Sequence, residues 1–109
     1  MSTQVHGVVD IGSNTVHLLV ARWDGQRLSP IDDSSRQSGL ATELELCGAI
    51  SEQRRRFLAD TVSRFVRRAA DQGARSIQLL GTEALRSATN GAEVVHAIRA
   101  ATGIPVLLL

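Results

Sequence analysis

Two short apolar segments, Val5 to Ile11 and Val16 to Arg22, are joined by only four residues, Gly12-Ser13-Asn14-Thr15. Each segment is too short for a stable helix and rich in β-branched residues, so each reads as a strand. The linking residues have turn chemistry, and the pair therefore reads as a hairpin. One residue breaks the apolar pattern: Asp10, between Val9 and Ile11. A lone carboxylate buried there would be costly unless it were paired or bound a cation. Structurally, it could cap the backbone N–H groups of the next turn. Gly12 can adopt positive φ and lets a ligand approach the backbone. Consecutive N–H groups in such a turn form an anion-binding concavity, to which Ser13, Asn14 and Thr15 add side-chain donors. The competing reading of the same residues is an ordinary polar hairpin turn.

Beyond the hairpin, Asp24-Gly25 is a second turn signal, and a third strand is expected over Arg27 to Ile31. Asp32 to Gly39 is polar and reads as loop, and Leu40 to Ile50 is ambiguous. Ser51 suits a helix N-cap, with Glu52 in the first turn facing the helix dipole. Leu58, Val62, Phe65, Val66 and Ala69 then recur at helical spacing, and Gly73 is a fitting stop. Ile77 to Leu80 reads as a strand, and Thr82 as the cap of a short helical turn through Ala88. Asn90 and Glu93 have capping-box spacing and predict a helix to about Thr102, with Val94, Val95 and Ile98 on its buried side. Gly103 and Pro105 end it. Val106 to Leu109 is an unalternating apolar run, as expected of a strand buried on both faces. The order is β-β-β-α-β-α-β, an α/β fold. Because the sequence stops within an apparent core strand, residues 1–109 read as one domain, incomplete at its C-terminal end.

Composition narrows the function. Net charge is +1, which argues against nonspecific binding to nucleic-acid duplexes. With one Trp, two Phe and no Tyr there is little for single-stranded bases to stack on. The single cysteine, Cys47, forms no intramolecular disulfide and is expected to be a small buried apolar residue in a cytoplasmic protein. No apolar run approaches the roughly 20 residues of a membrane span. His6, His17 and His96 lack metal-ligand spacing, with His17 expected to pack and Trp23 to make a core or edge contact. Arg54-Arg55-Arg56 and Arg67-Arg68 read as a solvated helix face, since Asp60 lies four residues from both Arg56 and Arg64.

Two segments carry a resemblance. Val8-Val9-Asp10-Ile11-Gly12-Ser13-Asn14-Thr15-Val16-His17-Leu18-Leu19-Val20 closely resembles the first phosphate motif of the exopolyphosphatase / guanosine pentaphosphate phosphohydrolase family. Gly81-Thr82-Glu83-Ala84-Leu85-Arg86-Ser87-Ala88-Thr89-Asn90-Gly91 resembles a second segment of that family. The resemblance implies a ribonuclease-H-like lobe of the actin-like ATPase superfamily, with which the strand and helix order agrees. It implies hydrolysis of terminal phosphoanhydrides in polyphosphate or guanosine pentaphosphate, with Mg²⁺, by a full-length protein that is a homodimer. Asp10, Gly12, Ser13, Asn14 and Thr15 would line the phosphate site, with Asp10 acting through Mg²⁺ or its water. Arg86 would reach the phosphate chain, a role that suits a planar guanidinium. Taken alone, Arg86 reads as a solvated surface charge.

The sequence also departs from the family pattern. Where the family has a basic residue followed by Leu-Gly-Glu-Gly, then Leu and an acidic residue, this chain has Gly39-Leu40-Ala41-Thr42-Glu43-Leu44-Glu45. The basic residue and both glycines are missing, which leaves substrate identity open. The family's water-positioning Glu and second phosphate loop match no residue here, so these residues alone are expected to be inactive. Two other readings stand beside the hydrolase: an ATP-dependent kinase or ATPase of the same superfamily, and a noncatalytic sensor of polyphosphate or a guanosine alarmone.

Overall fold

The first forty residues build three antiparallel strands, two from β-branched apolar runs and a third that is largely polar. In the computed structural model, which describes residues 3–109, they are β1 (Gln4–Ile11), β2 (Thr15–Trp23) and β3 (Leu28–Gln37). The remaining elements are α1 (Leu40–Cys47), α2 (Glu52–Asp71), β4 (Ser76–Gly81), α3 (Glu83–Ser87), α4 (Gly91–Thr102) and β5 (Val106–Leu108). The five strands form one mixed sheet in the order β3-β2-β1-β4-β5. The β1–β4 and β4–β5 pairs are parallel, and the helices supply their crossovers.

Alternation along the strands decides which face is covered. Val9 and Ile11 of β1, Val16, Leu18 and Val20 of β2, and Leu79 of β4 are buried in one cluster with Leu58, Val62 and Phe65 of α2 and Val94 and Ile98 of α4. Burying each such side chain contributes about 1.5–3 kcal/mol against exposure, so this face anchors the fold. The intervening residues point to the opposite face, where Asp10 is exposed and Val8, His17, Leu19 and Leu80 are half-buried.

Several sequence expectations require correction. The third strand does not stop at Ile31, and Asp32 to Gln37 is strand, not loop. Pairing with β2 holds this polar run extended, and a register shift at Val20/Ala21 absorbs Pro30 on what is an edge strand. The ambiguous Leu40 to Ile50 stretch contains α1, anchored by the buried Leu40. Cys47, the last residue of α1, is exposed. Trp23 is 41% exposed at the end of β2. His17 does not pack; its Nε2 meets Asp33 across the β2–β3 pair. β5 is not buried on both faces: Leu107 and Leu108 are 58% and 43% exposed on an edge strand whose sole strand neighbour is β4.

Candidate phosphate-binding turn

The β1–β2 turn is closed by the Gly12 N–H donating to the Thr15 carbonyl at 2.9 Å. Gly12 does not use the positive φ open to glycine. Its requirement for glycine is one of space, since a Cβ there would lie 3.1 Å from the Thr15 carbonyl oxygen. The segment after β3 then secures the turn from behind. The buried Ser38 hydroxyl lies 2.9 Å from the carbonyl oxygens of both Gly12 and Ser13. The Ser38 N–H donates to Asn14 O at 2.8 Å, and the Ala41 N–H to Ser13 O at 2.9 Å. These bonds occupy the turn's carbonyls. Among the described residues, no hydrogen bond uses the N–H of Ser13 or Asn14. The turn therefore offers donors while its acceptors are spent, the polarity an anion requires. A cleft of about 340 Å³ opens beside it, lined by Ser13, Asn14, Gln37, Gly39, Ala41 and Thr42.

Gly39 stands where the resemblance expects a basic residue. It has φ +71°, and a Cβ there would lie 2.7 Å from the guanidinium carbon of Arg54, which comes from α2. A cation therefore occupies the space beside this position, delivered from a different element. The same guanidinium stacks 5.4 Å from the Phe57 ring centre. Its Nε is buried without a hydrogen-bond partner, 3.8 Å from Glu43. Burial works to raise the Glu43 carboxyl, but the Ser51 N–H and hydroxyl donate to it at 2.9 and 2.8 Å, and with Arg54 nearby they hold it below its ordinary value. Glu43 thereby ties α1 to the start of α2, whose Ser51 cap accepts from the Arg54 N–H as the sequence predicts.

Parallel pairing brings the second segment to the same end of the sheet. Ile11 stands opposite Gly81, and both the N–H and the hydroxyl of Thr82 lie 3.3 Å from the Ile11 carbonyl. Thr82 is the N-cap residue of α3, as expected, but its hydroxyl makes this bond to Ile11 and no side-chain cap bond. Arg86 follows within one helical turn, exposed, with no ion pair among the described residues. Asn90 likewise forms no capping box. Its Oδ1 accepts from the Ile50 N–H at 2.9 Å and its Nδ2 donates to the Ile50 carbonyl at 2.7 Å, clamping the loop between α1 and α2. Gly91 permits this packing, since a Cβ would fall 1.9 Å from the Leu85 carbonyl oxygen. The second segment is thus largely structural, with Arg86 its only cation.

Asp10 is not the buried carboxylate that its apolar neighbours imply. It lies on the sheet face opposite the helices and outside the residues lining the cleft. Its carboxylate has no hydrogen bond or ion pair among the described residues, so both oxygens are available. A free carboxylate at a strand end fits Mg²⁺, which takes one or two carboxylates and fills its remaining positions with water and substrate phosphate. Residue spacing gives no signal for Ser38, Arg54 or Asn90. Arg54 lies in an Arg-Arg-Arg run that reads as solvent-facing, and the other two take their roles from contacts remote in sequence.

Comparison with known proteins identifies the family. The sequence pattern of the Ppx/GppA phosphatase family matches residues 19–109. Exopolyphosphatase 1 of Mycobacterium leprae is 30% identical over 94% of this chain and 31% of its own length. The guanosine-5'-triphosphate,3'-diphosphate pyrophosphatase of Vibrio cholerae is 30% identical over 97% of this chain and 21% of its own. The chain thus spans about a third or less of the curated relatives it matches. The crystal structure of an Aquifex aeolicus Ppx/GppA protein superposes over 99% of this chain and 35% of that one, with TM-score 0.92 at 23% identity. An exopolyphosphatase from Cytophaga hutchinsonii superposes over 97% of this chain and 34% of that one, with TM-score 0.90 at 26% identity. More distantly, the ethanolamine utilization protein EutJ of Carboxydothermus hydrogenoformans superposes over 99% of this chain and 38% of that one, at TM-score 0.56 and 14% identity, a likeness of fold alone. By its sequence and its fold, this chain belongs to the Ppx/GppA phosphatase family.

Proposed function

We propose that the chain is the phosphate-binding lobe of a phosphoanhydride hydrolase that releases terminal phosphate from polyphosphate or guanosine pentaphosphate. The observation that carries this reading is the stitching of Thr82 to Ile11, which sets Arg86 and the Ser13–Asn14 turn at one end of the sheet. Ligands of open α/β sheets collect at such strand ends. Relatives named as exopolyphosphatase and guanosine nucleotide pyrophosphatase support hydrolysis over the kinase and sensor alternatives.

In this reading the Ser13 and Asn14 N–H groups, with the Thr15 hydroxyl, hold phosphate oxygens, and Gly12 keeps the approach clear. Arg86 binds the phosphate chain bidentately. Asp10 holds Mg²⁺, which when bound neutralises phosphate charge. The protein would work in the cytoplasm as a homodimer of a longer chain; no helix among the described residues is long and apolar enough to cross a membrane. Phosphoanhydride cleavage needs a positioned water, a clamped leaving group and charge neutralisation together. These 109 residues supply only part of that set, so hydrolysis is expected of the full-length protein and not of residues 1–109 alone.

The test is phosphate release from polyphosphate and from guanosine pentaphosphate with Mg²⁺. Asp10→Ala should abolish turnover in the full-length protein, and Arg86→Ala should weaken phosphate-chain binding by roughly 1.5–3 kcal/mol, as for a charge-assisted bond. Full turnover by residues 1–109 alone, or unchanged turnover in both variants, would overturn this assignment.

A further inference from the structure

A second cleft, lined by three arginines, lies along β3. β3 is paired with β2 so that Asp32, Ser34 and Arg36 stand opposite Val20, Leu18 and Val16, and thus share the face covered by α2. Along this edge the face is polar. A cleft of about 410 Å³ runs between β3 and α2, lined by Arg36, Arg64 and Arg68 with Ser34, Ser35, Thr61 and Phe65.

The charge balance favours an anion. Asp32 faces the cleft but is already engaged: Arg68 donates through Nε and Nη2, at 2.5 and 3.0 Å, Gln72 at 2.7 Å and Ser34 at 2.8 Å. The Gln72 bond acts most strongly and, against burial and with Ser34 and Arg68, holds the Asp32 carboxyl at about 2, so it stays ionised. Arg68 keeps the N–H groups of Nη1 free. Arg64 meets Asp60 through Nε at 3.0 Å, on the exposed side of α2, and its terminal nitrogens remain available. Arg36 is exposed and has no carboxylate partner among the described residues; it lies over Phe57, 5.7 Å from the ring centre. Arg54 shares that ring from the side of Gly39.

The two clefts are lined by successive residues of one segment. Ser34, Ser35 and Arg36 line one, and Gln37 and Gly39 line the other, along a single run of chain. We propose that the groove between α2 and β3 is a second anion site, which takes the distal phosphates of a linear phosphate chain whose end lies at the Ser13–Asn14 turn. The proposal rests on the hydrolase reading and names its substrate class. A chain carrying charge on every repeat fills both clefts, whereas a guanosine nucleotide presents a base and sugar, for which the groove offers no exposed aromatic face to stack on. A base-bearing polyanion such as RNA is disfavoured for the same reason.

The experiment is equilibrium binding by the full-length protein of long-chain polyphosphate, inorganic tripolyphosphate and a homopolymeric single-stranded RNA. Wild type is compared with Arg36→Gln/Arg64→Gln and with the charge-retaining Arg36→Lys/Arg64→Lys. The Gln pair should weaken long-chain binding by about tenfold or more and flatten its salt dependence. Tripolyphosphate binding should be unchanged, and the Lys pair should retain most of the long-chain affinity. If the Gln pair unfolds more readily than wild type, Arg36→Gln alone decides, because Arg36 holds no structural carboxylate. Unchanged long-chain affinity would overturn the groove and leave the hydrolase reading to its own test. RNA binding as tight as polyphosphate binding, and equally dependent on the arginines, would also overturn it. Groove-dependent binding without phosphate release would remove the hydrolase reading and keep the groove.

Discussion

At Gly91, a single missing carbon holds the second family segment together. A Cβ would meet backbone, the Leu85 carbonyl oxygen, which is not free to swing aside. Gly91→Ala should therefore cost about 3 kcal/mol, at the upper end for overpacking, measured by urea denaturation. Gly103→Ala is the comparison: with φ +75° and nothing within 4 Å, it should cost only about 1–2 kcal/mol of left-handed strain. Equal effects would show that α3 and α4 can move apart. Asp32 gives a pH signature. Its folded pKa of about 2 lies below the ordinary 3.8, so the stabilisation is complete above 3.8 and is lost as pH falls through about 2. Asp32→Asn should lower stability at neutral pH, with the difference from wild type shrinking on acidification. A constant difference would mean that the Arg68 and Gln72 bonds do not depend on the charge. Such residues also mark the limit of the sequence reading. Asp10 among valines and isoleucines reads as buried, because one-dimensional spacing does not reveal which face of the sheet is covered.

Among the elements, those with internal periodicity were legible and those defined by their neighbours were not. The apolar spacing of α2 and its Ser51 cap belong to the helix itself, and both are found as expected. The polar stretch Asp32 to Gln37 carries no strand pattern; β2 imposes its conformation. Thr82 and Asn90 sit at the expected N-cap positions, but neither side chain makes a cap bond, for a related reason. Both have good capping chemistry, but the sheet end and the α1–α2 loop present backbone groups that compete for it. The Asn90 clamp can be tested directly. Asn90→Ala leaves the buried Ile50 N–H and carbonyl unpaired and should cost about 2–4 kcal/mol, with faster amide exchange in the α1–α2 loop. Asn90→Asp keeps the acceptor but sets a carboxylate against the Ile50 carbonyl, and should recover little of the loss. Full recovery would show that the bond to the Ile50 N–H alone is sufficient.

For the whole molecule, the fold class was legible because order alone restricts it: a three-stranded antiparallel start followed by right-handed crossovers leaves few sheets to build. What order could not convey was the second cleft, which exists only because an edge strand with polar residues lies against an arginine-rich helix flank. The sheet order has a further consequence, concerning assembly in time. The first strand made, β1, ends in the middle of the sheet between β2 and β4. The β1–β2–β3 meander can pair locally as soon as it is made, but the other edge of β1 finds its partner only when β4 has been synthesised and α2 has folded across. At ribosomal rates that interval is on the order of several seconds. For that time the open edge of Gln4–Ile11, rich in valine, is a template for any passing strand, and the amphipathic α2 is the first element able to shield the face beside it. A nascent chain stalled before Ser76 should therefore engage chaperones or aggregate, and one stalled after Leu109 should do so less.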